Sequence, residues 1–372
     1  MTLLAALSCL IWLWLLTLRG RFWSAGPVLP AAVPLHAPPV AIVVPARDEA
    51  PLIEAVLRSL LAQDYPGVFR LVLVDDRGTD GTGSIARRIG DPRLTVLDGQ
   101  PRPPGWAGKL WAVHQGVASL TETPAYVFLT DADIAHAPGH LSALVAMAER
   151  HDLDMVSEMV TLSCDSLAEK ALVPAFVFFF QLLYPFAWVN NPQRVAAAAA
   201  GGTILLRWSA LARIGGIQTV RGALIDDVAL ARAVKTGGRI FLGHSALARS
   251  IRPYPGFSDL WRMIARSAYA QLRFSPLLLV ATTLGMALVW LVPVLAALFG
   301  HGLARWLGLL AWALSAAAFP PTLARFGRSF LWAVFLPAIA LFYMAATLGS
   351  AVRHHRGLGV VWKGRAYAGG SP

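Results

Sequence analysis

The chain has 372 residues, of which 56% are hydrophobic and only 14% charged, with a mean hydropathy of +0.56. Soluble domains carry about 25% charged residues, so a wholly soluble chain is excluded and part of this one belongs in a bilayer. The 32 basic and 21 acidic residues leave a formal charge of +11. Beside long apolar segments, that charge points to lipid headgroups or a phosphorylated ligand and away from nucleic acid.

Residues 2–18, TLLAALSCLIWLWLLTL, are uncharged and just long enough to span a bilayer with little tilt. Arg19 and Arg21 follow the run, the reverse of the order in a secretory signal. We therefore expect residues 1–23 to form an uncleaved anchor, with residue 19 onward in the cytoplasm by the positive-inside rule. Residues 24–39 carry five prolines, Pro27, Pro30, Pro34, Pro38 and Pro39, and predict a stiff linker. The two cysteines, Cys9 and Cys164, stand in no CxxC setting, which argues against a disulfide framework or zinc site.

From 40 to 250 the pattern predicts an α/β domain. Strands are expected at 40–44, 70–74, 93–97, 125–129 and 154–160, with helices near 49–62, 80–89, 108–119 and 138–150. Apolar strands alternating with helices predict a mostly parallel central sheet covered on both faces. Ligands of such sheets bind at the carboxyl ends of the strands. Residues 174–189, PAFVFFFQLLYPFAWV, are too short for a crossing and interrupted by Pro185; we expect an interfacial or re-entrant segment, with a buried helix of the soluble domain as the alternative. A basic interfacial segment, 251–276, then leads to three transmembrane helices within 277–352, at 277–299, 303–322 and 329–350. An anchor plus three crossings puts the basic tail, 353–372, outside, whereas its charge argues for inside. Either one segment does not fully cross or the charge rule fails locally.

The strand ends carry chemistry. The first ends in PARDE (45–49), the second in VDDRGTDGT (74–82) and the fourth in TDAD (130–133). Each acid alone has a structural explanation, Asp80 as a helix cap among them; three strand ends converging on one sheet edge make a site. Asp131 and Asp133 would share a face if extended, and carboxylates that close call for a cation. Oxygen ligands suit Mg2+ or Mn2+, which complete their shells with water and phosphate. Lys109 opens a helix after Gly105 and Gly108 in GWAGK, which matches neither a P-loop nor a dinucleotide fingerprint. Asp226 and Asp227 open another helix behind the glycines Gly201 and Gly202. The arginines 249, 252, 262, 266 and 273 read equally well as a headgroup belt or as groups closing over a diphosphate.

In this order PARDE, VDDRGTDGT, GWAGK, TDAD and DDVALA resemble the family 2 glycosyltransferases of GT-A fold, over roughly residues 40–275. GWAGKLWAVHQG, PAFVFFFQLLYPF, AQLRFSP and the terminal WKGRAY are similar to the hopene-associated glycosyltransferases of hopanoid-making bacteria. The resemblance implies a nucleotide-sugar donor, carrying uridine, and an inverting displacement. It implies that Glu49, Asp76 and Arg47 lie by the nucleoside, and that Lys109 holds the base or diphosphate. Asp131 would face ribose or metal, Asp133 would ligate Mg2+ or Mn2+, and Gly202 would let the donor approach. Asp227 would be the general base beside Asp226.

Three departures matter. The family's ED pair is here Asp226 and Asp227, and Gly78 stands where a serine is expected. The QxxRW motif of processive synthases is absent, the nearest residues being Met263, Arg266 and Ser267. Arg266 keeps the diphosphate contact in this scheme. The expected function is transfer of one sugar to a lipid acceptor, a hopanoid among the candidates, by a multi-pass enzyme of the inner membrane with its catalytic domain in the cytoplasm. No nucleic-acid partner is expected, and the oligomeric state is left open. The alternatives are a processive polysaccharide synthase of the same fold and a non-catalytic membrane partner in lipid synthesis.

Overall fold

The computed structural model describes residues 1–357 and the backbone of 360–362 and 365–367, so the WKGRAY motif and Lys363 lie otherwise outside the described residues. The chain opens with α1 (Thr2–Leu18), then β1 (Val40–Ala46), α2 (Ala50–Leu61), β2 (Phe69–Asp75), α3 (Thr82–Arg87), β3 (Leu94–Asp98) and α4 (Gly108–Ala118). It continues through β4 (Tyr126–Thr130), β5 (Ile134–His136), α5 (His140–His151), β6 (Met155–Thr161), α6 (Leu167–Leu183) and α7 (Phe186–Val189). β7 (Thr203–Arg207), α8 (Trp208–Arg213), α9 (Asp226–Lys235), β8 (Ile240–Ser250) and α10 (Phe257–Gln271) complete the part outside the apolar C-terminal helices.

β1 is buried at every residue because both faces of the sheet are covered. Ile42 and Val44 belong to one core and Val43 to the other, the two-residue alternation of a strand between two layers. α2 begins with a proline in its first turn and buries Ile53, Val56, Leu57 and Leu60, one stripe at helical spacing.

The sheet order is β3-β2-β1-β4-β7-β6-β8-β5. β3, β2, β1 and β4 run parallel, as expected. The sheet as a whole is mixed, because β7 is antiparallel to both β4 and β6 and β5 is antiparallel to β8. β7, from the TILL that follows the glycine pair, was not among the expected strands. It fits between β4 and β6 because its apolar residues meet cover on both sides. The proline-rich stretch is a strap and not a free linker. Leu29 N donates to the His244 carbonyl at 3.1 Å, and His244 N donates to that of Pro27 at 2.8 Å.

Among the described residues three helices are long and apolar enough to cross a membrane: Pro276–Phe299, Leu303–Arg325 and Phe330–His355. α1 packs among them, its Trp12 Nε1 donating to the Val289 carbonyl at 3.1 Å. α6 joins the two halves of the molecule. Its Val177 lies in the sheet core, and its Phe178 lies with Trp12, Trp290 and Phe319 among the apolar helices. The chain breaks after α6 at the expected Pro185.

The turn before the third apolar helix and the far end of that helix both meet the half of the molecule that carries the sheet. Ahead of it, Arg325 Nη2 donates to the Ala25 carbonyl at 2.8 Å. At its far end the His354 ring stacks on Phe274, which precedes the first apolar helix, with centroids 4.4 Å apart. Ser350 Oγ also donates to the Ala265 carbonyl of α10 at 2.5 Å. Between these ends, Val334 O accepts from Trp312 Nε1 partway along the second helix.

Candidate functional site

The adjacent tips of β1 and β2 are shaped by two non-glycine residues at positive φ, Asp48 (51°) and Arg77 (56°). Arg47 Nη1 ties the tips together, donating to the carbonyls of Asp76 at 2.6 Å and Arg77 at 3.0 Å. Asp76 is fully buried, and Glu49 N donates to Thr82 Oγ1 at 2.8 Å. Asp80 holds two helix starts at once, accepting from Ala50 N at 2.7 Å and Thr82 N at 3.0 Å. Gly78 N donates to Asp75 Oδ1, and a Cβ at 78 would stand 2.9 Å from that oxygen. A serine at 78 would crowd Asp75 unless the turn shifted.

The TDAD stretch leaves β4 as a turn and does not continue as strand. Its two acids therefore take separate partners, where an extended segment would have presented them to one cation. Lys109, in the first turn of α4, puts Nζ 2.7 Å from Asp131 Oδ1 and 3.4 Å from Asp226 Oδ2. Burial works against the lysine's charge, but Asp131, Asp226 and Asp227 together raise its proton affinity above that of a free lysine. Burial, with Asp133 and Asp226 nearby, pushes the Asp131 carboxyl up despite Lys109.

Asp133 pairs with Arg252, whose Nε donates to Asp133 Oδ2 at 2.8 Å while Nη2 reaches both Glu49 oxygens, at 2.6 and 2.5 Å. In the sequence Arg252 is one of five arginines that read as a headgroup belt or as groups closing over a diphosphate, not as the partner of Asp133. Nothing local distinguishes it from Arg249 or Arg266.

Asp227 completes the pocket. Gly201 N donates to its Oδ2 at 2.9 Å and Val228 N to its Oδ1 at 2.8 Å. Burial first, then repulsion from Asp226, pushes its carboxyl up to about 7. The cavity is lined by Lys109, Asp131, Gly201, Asp226 and Asp227. Gly201 is the glycine that faces it, since a Cβ there would stand 3.1 Å from Lys109 Nζ. Gly202, the expected donor contact, points its hydrogens at Val160 and Ile134. Arg266 is exposed on α10, and its charge reaches Tyr254, which also senses Arg252 and Asp133.

The acids suit a hard divalent cation. Asp131 Oδ2 and Asp133 Oδ1 have no partner among the described residues, and carboxylate oxygens are the donors Mg2+ and Mn2+ prefer. Among the described residues no group of three or more His, Cys, Asp or Glu side chains forms a complete metal cage. Water and a diphosphate would supply the remaining ligands.

Residues 41–215 match the family model for Glycosyl transferase family 2. The succinoglycan biosynthesis protein ExoA of Rhizobium meliloti is 34% identical over 117 residues, 31% of this chain and 34% of that protein. An uncharacterized glycosyltransferase of Mycobacterium tuberculosis is 34% identical over 122 residues, 33% of this chain and 47% of that protein. The matched segments thus span a third to a half of these relatives. Among solved structures, a mannosyltransferase from Pyrobaculum calidifontis in complex with GDP-Man and Mn2+ aligns over 94% of both chains. Its TM-score of 0.54 at 23% identity shows the shared GT-A fold.

Proposed function

We propose that this chain, whose residues 41–215 match the family model for Glycosyl transferase family 2, moves one sugar from a UDP-sugar to the hydroxyl of a membrane lipid, with inversion. The observation that carries this is Asp227, a carboxyl tuned to about 7 and held by Gly201 N–H in a pocket with Lys109 and Asp131. A base matched to cellular pH can accept an acceptor hydroxyl's proton and still be substantially ionised beforehand. The reaction is then one displacement. The hydroxyl oxygen bonds to the anomeric carbon, the bond to the diphosphate oxygen breaks with its electron pair, and the proton ends on Asp227.

The remaining residues bind and orient. Arg47, Glu49 and Asp76 shape the nucleoside end, and Asp131 faces the ribose. Lys109 and Arg252, with Arg266 at the exposed rim, bring positive charge to where the diphosphate departs. Asp226 steers Lys109. Mg2+ or Mn2+, held through Asp133 and Asp131, would add Lewis-acid neutralisation of the leaving group when bound.

A lipid acceptor is supported by the route of the chain. β8 leads through Arg252 and Tyr254 straight into α10, whose Leu260 and Ile264 are buried among the apolar helices. That route puts the segment after the Asp133 partner Arg252 directly against the apolar helices, which favours an acceptor drawn from the membrane, and a hopanoid is the lipid class the motifs resemble. We place the enzyme in the inner membrane with its catalytic domain in the cytoplasm. The contacts at both ends of Phe330–His355 support three crossings, by α1, Pro276–Phe299 and Leu303–Arg325, with the third apolar helix re-entrant. This parity reconciles the basic tail with the cytoplasmic side.

Purified protein given UDP-sugars, Mn2+ and membrane lipid should yield a lipid carrying a single sugar, and the Asp227→Asn variant should not. A ladder of longer products would favour a processive synthase. Absence of both transfer and UDP-sugar binding would favour the non-catalytic partner.

A further inference from the structure

Beneath the donor turn runs a chain of buried polar groups that the proposed reaction does not use. Thr130 Oγ1 lies 2.8 Å from the Gly202 carbonyl oxygen and 3.0 Å from His136 Nε2. His136 Nδ1 faces His140 Nδ1 at 2.8 Å, and His140 Nε2 lies 2.5 Å from Glu158 Oε2. All four side chains are buried, His140 and Glu158 completely.

Valence gives this chain a direction. A carbonyl oxygen cannot donate, so the Thr130 hydroxyl proton points at Gly202. The same hydroxyl must then accept from His136, which puts a proton on His136 Nε2. Burial and the neighbouring His140 ring hold His136 well below ordinary imidazole basicity, so its Nδ1 is a lone pair. His140 Nδ1–H is the donor to it. His140 Nε2 and Glu158 Oε2 then share one further proton. Glu158 Oε1 is buried with no partner among the described residues, which a neutral carboxyl tolerates better than a carboxylate.

We propose that His136, His140 and Glu158 are positioning residues, a relay that uses one shared proton to lock the donor turn onto the glycine loop. Thr130 immediately precedes Asp131, and Gly202 follows Gly201, whose N–H holds Asp227. The relay therefore joins the donor-binding acid to the loop that carries the base. Without the shared proton Glu158 is an acceptor only, every bond reverses, and Thr130 must abandon either Gly202 or His136. The catalytic consequence rests on the glycosyltransferase reading, whereas the proton placement does not.

The test is nitrogen-15 NMR of the full chain in nanodiscs with labelled histidine. The wild type should show His136 protonated on Nε2 and His140 on Nδ1. Glu158→Gln, whose amide N–H replaces the shared proton, should keep both tautomers and leave the donor KM within about two-fold. Glu158→Leu leaves the Gly202 end to set the tautomers but takes the partner from His140 Nε2, and it should raise the donor KM about ten-fold with little change in kcat, the scale of one or two lost hydrogen bonds. A wild-type His136 carrying its proton on Nδ1 overturns the relay, as does a Glu158→Leu variant with an unchanged donor KM. Should Glu158→Leu fail to fold, the wild-type and Glu158→Gln spectra decide. The expected tautomers in a protein that transfers no sugar would uphold the relay and remove the glycosyltransferase reading instead.

Discussion

Arg252 Nε donates to Asp133 Oδ2 at 2.8 Å, across 119 residues of sequence, so the second acid of the TDAD turn already has a cation. The same guanidinium grips Glu49, tying the end of β8 to the end of β1. Glu49 and Asp133 are 9% and 17% exposed, and Arg252→Gln leaves both without their charge partner. We expect a loss of about 2 kcal/mol in denaturant unfolding, below the figure for a fully buried pair because Arg252 keeps some solvent contact. Mn2+ binding without nucleotide, followed by electron paramagnetic resonance, should tighten several-fold in this variant. An unchanged Mn2+ affinity would show that Arg252 and the ion do not compete for Asp133.

Asp227 sets a pH dependence. As the base it must be ionised, so kcat/KM should rise with pH through about 7 and then level off. A profile flat between pH 5.5 and 8 would remove Asp227 from that role. Asp227→Asn should lower kcat by about 10²–10⁴-fold and leave UDP binding by calorimetry near wild type.

The same residue makes a prediction of opposite sense for stability. Its folded-state proton affinity is raised above the unfolded value, so its contribution is intact only below the ordinary carboxylate range and is lost progressively as pH rises to about 7. Thermal unfolding of Asp227→Asn should accordingly show a clear gain over wild type at pH 8 and a smaller one at pH 5. Equal differences at the two pH values would mean that Asp227 is not buried as an acid.

The two glycines separate pocket from packing. A methyl at 201 meets Lys109 Nζ at 3.1 Å and Asp227 Oδ2 at 3.4 Å, whereas one at 202 meets Val160 carbons at 3.3 and 3.4 Å. Gly201→Ala should cut kcat at least ten-fold with little loss of stability, while Gly202→Ala should act mainly on the melting temperature. Steady-state kinetics and thermal scans of the pair decide it, and a reversed pattern would relocate the pocket.

Re-entry of the third apolar helix predicts sidedness. In spheroplasts, His301→Cys should react with a membrane-impermeant maleimide, while Ser329→Cys and Arg356→Cys should stay protected until lysis. Labelling of Arg356→Cys from outside would restore a full crossing.

Much of the central sheet was legible along the chain. β1, β2, β3, β4 and β6 fall within two residues of the apolar runs that predicted them; the inner strands do so because cover on both faces demands apolar runs, and β3, half-exposed at the edge, still alternates apolar residues. β5 is three residues long, and β8 mixes His244, Ser245 and Arg249 into its apolar residues, so neither carried that signal. β7 was obscured by the glycines before it. Its antiparallel course makes the sheet mixed, and no local pattern records strand direction.

By itself the sequence determined the α/β layering, the apolar helices and the acids at the strand ends, because each follows from composition or spacing within a few residues. Only the tertiary structure decided which charges meet. Lys109 went to Asp131 and Asp226, Arg252 rather than Arg266 went to Asp133, and Gly201 rather than Gly202 went to the pocket. Those partnerships join residues far apart in the chain, and an ion pair leaves no local mark on either partner. It exists only once the sheet order has brought the ends of β1, β4 and β8 to one edge.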